Sequence, residues 1–352
     1  MVGSIFRRED LYLGVIVLGI TCVLSVALAR VNVPLIRPGS YLNNLSIYLL
    51  VWVIFLSARI SFLLYQHRPP SPTRFLIAST EARADFIGVV AGLPVVTTIA
   101  FFMPGFSAVK SAIPLFTEYS WDPVLLDLDQ TLHGTDPWRI MQPILGFPIV
   151  TAALAFSYHL WFMLIYAGTI YFAAYQKDPV LRFRYFLSFV LIWSLGGMLM
   201  AIGLASVGPA FLHPILGNDH FYDQMEYLRA ANDVVPVLVV DVQDELLAWY
   251  LSGEHGLGRG ISAMPSMHVA LAFLFFLAMR RVSRAAGVVF GVFCAVVMLG
   301  SVHLGYHYAL DGYVSVILSG AVWIVAGAIA KGLLANHAEV GTRLPGPSVT
   351  AV

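Results

Sequence analysis

The chain has 352 residues, of which 59% are hydrophobic and 11% charged, and its formal net charge is zero. Soluble domains carry about 25% charged residues, so most of this surface must face something other than water. The lack of a basic excess argues against a nucleic-acid partner. The two cysteines, Cys22 and Cys294, lie inside apolar runs and form neither a disulfide framework nor a metal motif. A mean hydropathy of +0.80 completes the case for an integral membrane protein.

Along the chain, Arg7 and Arg8 precede an apolar run over residues 11–29. This run exceeds the roughly 7–15 residues of a signal h-region, so it reads as the first membrane helix. A spanning helix needs about 20 mostly apolar residues. That criterion predicts eight spans: 11–30, 44–65, 85–104, 149–175, 183–207, 265–281, 285–304 and 309–334. The expected fold is an all-α polytopic membrane helix bundle. It divides into N-terminal spans (1–104), an outer connector (105–148), a catalytic membrane core with an outer loop at 208–264 (149–335), and a disordered tail (336–352). In the connector, apolar and acidic residues alternate at helical spacing from Trp121 to His133. Asp122 is the expected N-cap, Pro123 fits the first turn and Gly134 the stop, giving an amphipathic helix on the outer face. Trp121 and Trp138 are expected as interfacial anchors. Arg59 and His159 fall within predicted spans, each either paired inside the bundle or snorkelling.

The distribution of basic residues orients this layout. With the N-terminus cytoplasmic, thirteen Lys and Arg fall on inner segments and six on outer ones, with Arg59 in a span, out of 20. Both termini are therefore expected in the cytoplasm and both long connectors outside. For a bacterial inner membrane, outside is the periplasm.

Two segments carry candidate chemistry. Ala263-Met264-Pro265-Ser266-Met267-His268 opens the sixth predicted span. Ser301-Val302-His303-Leu304-Gly305-Tyr306-His307-Tyr308-Ala309-Leu310-Asp311 joins the seventh and eighth. The charge-derived topology puts both at the same membrane face. Ionisable residues at membrane depth are costly and point to function. Asp311 follows His307 by four residues, so the two become neighbours on a helix, and a carboxylate beside an imidazole fixes its tautomer. His307 then suits a nucleophile or base, and His268 a proton donor to a leaving oxygen. His303, His307 and Asp311 also form a stripe that could hold zinc.

These motifs resemble the type 2 phosphatidic acid phosphatase superfamily. Pro265-Ser266-Met267-His268 matches its P-S-x-H motif, and His307-Tyr308-Ala309-Leu310-Asp311 the H-x-x-x-D end of its last motif. The resemblance implies that His307 attacks phosphorus to form a phospho-histidine, that Asp311 orients it, and that His268 protonates the leaving group, with no metal or cofactor. The upstream K-x(6)-R-P motif is absent, and Gly300-Ser301 stands where the last motif has S-R. Phosphate must therefore be held by other donors: Ser266, the backbone N–H groups at the start of the sixth span, Arg259, His303 or Tyr308. The branch lacking those basic residues resembles the inositol phosphorylceramide and sphingomyelin synthases, to which His307-Tyr308, the Asp127–Gly134 segment and Gly208-Pro209-Ala210-Phe211 are also similar. Asp127, Asp129 and His133 are expected to be structural or to face a headgroup.

The expected activity is transfer of a phosphoryl headgroup from a phospholipid to a lipid alcohol such as ceramide or diacylglycerol. With a lipid phosphate donor and water as acceptor, the same site is a phosphatase. From another class, a lipid transporter or binding protein is the alternative, although the sequence has no internal repeat of the kind many transporters carry.

Overall fold

The structure is a computed structural model that describes residues 7–35, 38–254 and 258–341. It is all-helical, with no strand among the described residues. The helices are α1 (Arg8–Ala29), α2 (Pro38–His67), α3 (Pro72–Ala78), α4 (Thr80–Ser111), α5 (Ile113–Phe116), α6 (Asp122–His133), α7 (Pro137–Leu145), α8 (Pro148–Tyr175), α9 (Pro179–Gly203), α10 (Pro209–Leu216), α11 (Tyr222–Val234), α12 (Val239–Leu251), α13 (Met267–Val282), α14 (Arg284–His303) and α15 (Ala309–Gly341). Helix α8 ends in a π-turn over Tyr171–Tyr175, and α9 contains a second over Leu195–Met200.

Seven of these helices are long and apolar enough to cross a membrane: α1, α2, α4, α8, α9, α14 and the Ala309–Leu334 part of α15. The sixth predicted span is the exception. It becomes α13, only 16 residues long, or about 24 Å at 1.5 Å per residue, against a hydrocarbon core of about 30 Å. Its apolar run reads as a full span, yet residues 262–266 are non-helical, and the helix starts only at Met267. Packed between α9, α14 and α15, α13 is shielded by its neighbours. Of the tail expected after residue 335, residues up to Gly341 continue α15, and residues 342–352 lie outside the described residues.

Local sequence sets the helix starts. The side chains of Ser79, Asp178, Ser266 and Ser283 each accept from a backbone N–H of the helix they open, satisfying donors that have no intrahelical partner. Helices α8, α9, α13, α14 and α15 form the core bundle, and α1, α2 and α4 pack along one side of it. The short helices α5–α7 and α10–α12 gather at the end of the bundle where α13 and α15 begin. Tyr119 Oη donates to Ile261 O at 2.9 Å there, and Trp121 N to Ala205 O at 3.1 Å.

Polar contacts tie the N-terminal helices to the bundle. Arg182 on α9 is 1% exposed and reaches both carboxylate oxygens of Asp10, at 2.5 and 3.1 Å, with Glu9 at 3.5 Å. Asn44 on α2 donates to Ala100 O on α4 at 2.8 Å and accepts from Tyr166 Oη on α8 at 3.1 Å. Arg59 is paired, its Nε lying 2.8 Å from Asp85 on α4. Removing one member of a buried ion pair typically costs about 3–5 kcal/mol, whereas replacing both with apolar groups is often neutral. We therefore expect Arg182→Ala to lower the thermal unfolding midpoint in detergent sharply, and the double variant Arg182→Met with Asp10→Leu to recover most of the loss.

Candidate active site

The two motif segments meet. Ser266 N lies 3.4 Å from Asp311 O, and Ser315 Oγ donates to Ser266 O at 2.9 Å, joining the start of α13 to the first turns of α15. His307 sits just before α15, so its pairing with Asp311 spans the helix start: His307 Nδ1 lies 3.2 Å from Asp311 Oδ2. The same oxygen accepts from Tyr308 N at 3.1 Å, the reciprocal half of a capping box. With Nδ1 facing a carboxylate, the proton belongs on Nδ1 and the lone pair on Nε2. His268 lies in an aromatic box. Its ring stacks on Tyr158 at 3.9 Å and Trp161 at 4.0 Å, with Phe162 edge-on at 5.6 Å, and its buried Nε2 has no hydrogen-bond partner among the described residues.

Helix α6 supports this arrangement through two inward carboxylates. Val124, Leu128 and Leu132 point outward, while Asp122 and Asp129 are buried at 1% and 2% exposure. Trp121, one residue earlier than expected, takes the N-cap position, and Gly134 closes the helix at φ +78° as expected. Asp122 is therefore free to serve other chains of backbone. It accepts from Val207 N and Gly208 N, both at 2.9 Å, and from Tyr308 Oη at 3.0 Å. Asp129 accepts from Ala309 N at 2.7 Å and Leu310 N at 2.9 Å, capping α15 from outside. Burial lifts both carboxyls above the usual range, opposed by these backbone hydrogen bonds. Gly208 has φ +82°, and a Cβ there would lie 2.6 Å from Tyr306 O, so only glycine fits.

The histidines open into one cavity of about 380 Å³, which also carries Lys110, His159 and Arg259 on its wall. Lys110, at the end of α4, has no acidic partner among the described residues, whereas Arg259 is bonded to Glu254 and lies 4.5 Å over the Trp249 ring. Sequence reasoning counted Lys110 only as an outer-segment charge. Nothing local in its sequence marks it, because its relevance comes from α4 packing beside α8 and α9. His159 gives Nδ1 to Ala155 O at 2.9 Å in its own helix.

The other expected donors lie elsewhere. Ser266 Oγ caps α13, 3.5 Å from Val269 N. Tyr308 turns away to Asp122. His303 is 1% exposed, with Nε2 2.9 Å from Thr151 Oγ1, which in turn meets Tyr227 Oη at 2.6 Å. The helix breaks after His303, so the His303–His307–Asp311 stripe does not form. Among the described residues, no three His, Cys, Asp or Glu side chains converge to hold a metal. Trp138, expected at an interface, is 5% exposed under the Arg139 guanidinium.

A family model described as the PAP2 superfamily matches residues 123–325, more than half of the chain. The chain belongs to the PAP2 superfamily. Members are phosphatases or phosphotransferases, so this is an enzyme of that general type, acting on lipids in a membrane. The match spans α6 to α15 and excludes α1–α5, and with them Lys110. No curated protein and no solved structure was found to match the chain.

Because Asp129 satisfies two backbone donors at the start of α15, Asp129→Ala should destabilise by about 1–2 kcal/mol, the usual cost of a lost cap. Asp129→Asn, which keeps one acceptor oxygen, should fall between. Thermal unfolding of the three proteins in the same detergent checks the order.

Proposed function

We propose that this enzyme moves a phosphoryl headgroup from a phospholipid donor to a lipid alcohol, ceramide or diacylglycerol, through a phospho-histidine. The reading follows the inositol phosphorylceramide synthase-like branch of the superfamily. In the first half-reaction, His307 Nε2 forms a bond to phosphorus and the bond from phosphorus to the donor's alcohol oxygen breaks. The proton for that oxygen comes from His268. Asp311 holds the Nδ1 proton of His307 and offsets the charge that develops on the ring. In the second half, His268 takes the proton of the acceptor hydroxyl, whose oxygen attacks phosphorus and releases His307. Atoms and protons balance over the cycle, and no cofactor takes part.

The observation that carries this reading is the shared cavity of His268, the His307–Asp311 pair and Lys110. The choice of transfer over hydrolysis rests on charge. Lys110 is the one cation on the cavity wall without an acidic partner among the described residues, since Arg259 is engaged by Glu254. One positive charge suits a singly charged phosphodiester better than a doubly charged phosphomonoester, which needs more counter-charge when water is excluded. The proposed site lies at the outer, periplasmic face of a bacterial inner membrane, with both termini cytoplasmic, as the Lys and Arg distribution indicates.

Purified enzyme in mixed micelles, given headgroup-labelled phospholipid with ceramide or diacylglycerol and EDTA, should form a new labelled lipid. His307→Ala should abolish the product and the acid-labile phospho-enzyme. His268→Ala should slow turnover by about 10²–10⁴-fold, the usual worth of general acid–base catalysis. Free phosphate as the sole product would make water the acceptor and the enzyme a phosphatase.

Lys110→Met should reduce kcat/KM by about 10²-fold, as expected for losing one charge-stabilising donor, with Lys110→Arg recovering part of it. An unchanged kcat/KM in Lys110→Met would remove Lys110 from the site.

A further inference from the structure

The cavity is larger than phosphate chemistry requires, and it runs away from the histidines. At one end stand Lys110, Arg259, His268 and His307; at the other, Asn44, Tyr48 and Tyr166. Between them the wall is apolar, with Met103 and Phe106 from α4, Ile165 from α8 and Trp193 from α9 among its residues. The far end is closed. Asn44 donates to Ala100 O, Tyr166 donates to Asn44, and the Tyr48 and Tyr166 rings meet edge-on at 4.6 Å. From Lys110 to Ala100 is ten residues of α4, about 15 Å at 1.5 Å per residue. That is about half of a 30 Å hydrocarbon core, or the depth of one leaflet. Phe162 lines the cavity beside His268 and is 48% exposed on the outside of the bundle, so the cavity reaches the bundle surface there.

We propose that this extension is a binding site for one hydrocarbon chain of the lipid whose headgroup occupies the histidine end, built by α2 and α4, which lie outside the PAP2 match, together with α8 and α9. The chain enters past Phe162, lies along the Met103–Phe106 face and ends against the Asn44–Tyr166 hydrogen bond. Burying a methylene contributes about 0.8 kcal/mol in water. From the bilayer, where tails are already in hydrocarbon, the gain is selectivity, because a closed floor rejects a chain that is too long. The site thus selects chain length independently of the phosphorus chemistry, although which lipid it measures rests on the reading under Proposed function.

The test separates the two. Phosphatidylinositol with a diazirine near the methyl end of one acyl chain is photolysed with the wild type and with His307→Ala in detergent micelles, and adducts are mapped by peptide mass spectrometry. Adducts at Met103, Tyr48 or Tyr166 in both proteins support the chain site even if no lipid is turned over. Adducts confined to outward-facing residues such as Phe156, Val292 or Ile317 overturn it. Where turnover is seen, Met103→Trp should shorten the pocket. Its kcat/KM should drop about tenfold or more on dipalmitoyl donors, the scale at which pockets discriminate chain increments, with dioctanoyl donors within about twofold. An equal loss on both lengths, or none on either, would also overturn the proposal.

Discussion

The arrangement rests on one constraint: backbone N–H groups buried in a low-dielectric bundle must find acceptors. Where α15 begins, its free donors sit beneath the outer helices, out of reach of bulk water. Two carboxylates on α6 take them. Asp129 serves Ala309 and Leu310, and Asp122 serves the turn at Val207–Gly208 and the hydroxyl of Tyr308. Asp311 completes the set from within α15 by accepting from Tyr308 N. His307 lies between these anchors and inherits its position from them. Helix α6 is thus a bracket that turns Asp122, Leu125 and Asp129 inward, and its exposed Val124, Leu128 and Leu132 are the consequence.

Much of this was legible in the sequence. Hydropathy located the long helices, because a run of about 20 apolar residues has few other uses. The P-S-x-H and H-x-x-x-D segments were expected at one face, and the structure joins them through Ser266 N, Asp311 O and Ser315 Oγ. What escaped was anything decided by long-range packing. The sixth apolar run reads as a span, but its opening residues form the cavity rim, leaving α13 short. The periodicity marks α6 as an amphipathic helix, but a pattern of acids and leucines cannot say which side the protein covers. His303 looked like a phosphate ligand because it shares a motif with His307, yet a break of five residues, 304–308, separates α14 from α15, and His303 meets Thr151. Lys110 carries no motif at all.

The chain therefore has two parts. Helices α6 to α15 hold the motif residues and lie within the PAP2 match. Helices α1, α2 and α4 lie outside it, yet α4 contributes Met103, Phe106 and Lys110 to the same cavity and α2 contributes Asn44 and Tyr48. In this protein the family segment carries the motif histidines and Asp311, and the preceding helices add a wall and a charge to the same cavity. Neither part encloses the site alone.

The Arg182–Asp10 pair adds a temporal dimension. Its members are 172 residues apart in the chain. At about 5–20 residues per second, synthesis of the intervening chain takes on the order of ten to thirty seconds. During that interval Glu9 and Asp10 on α1 lack the Arg182 guanidinium that ties them to α9. The tie between α1 and α9 can form only once α9 has been made, well after α1 itself.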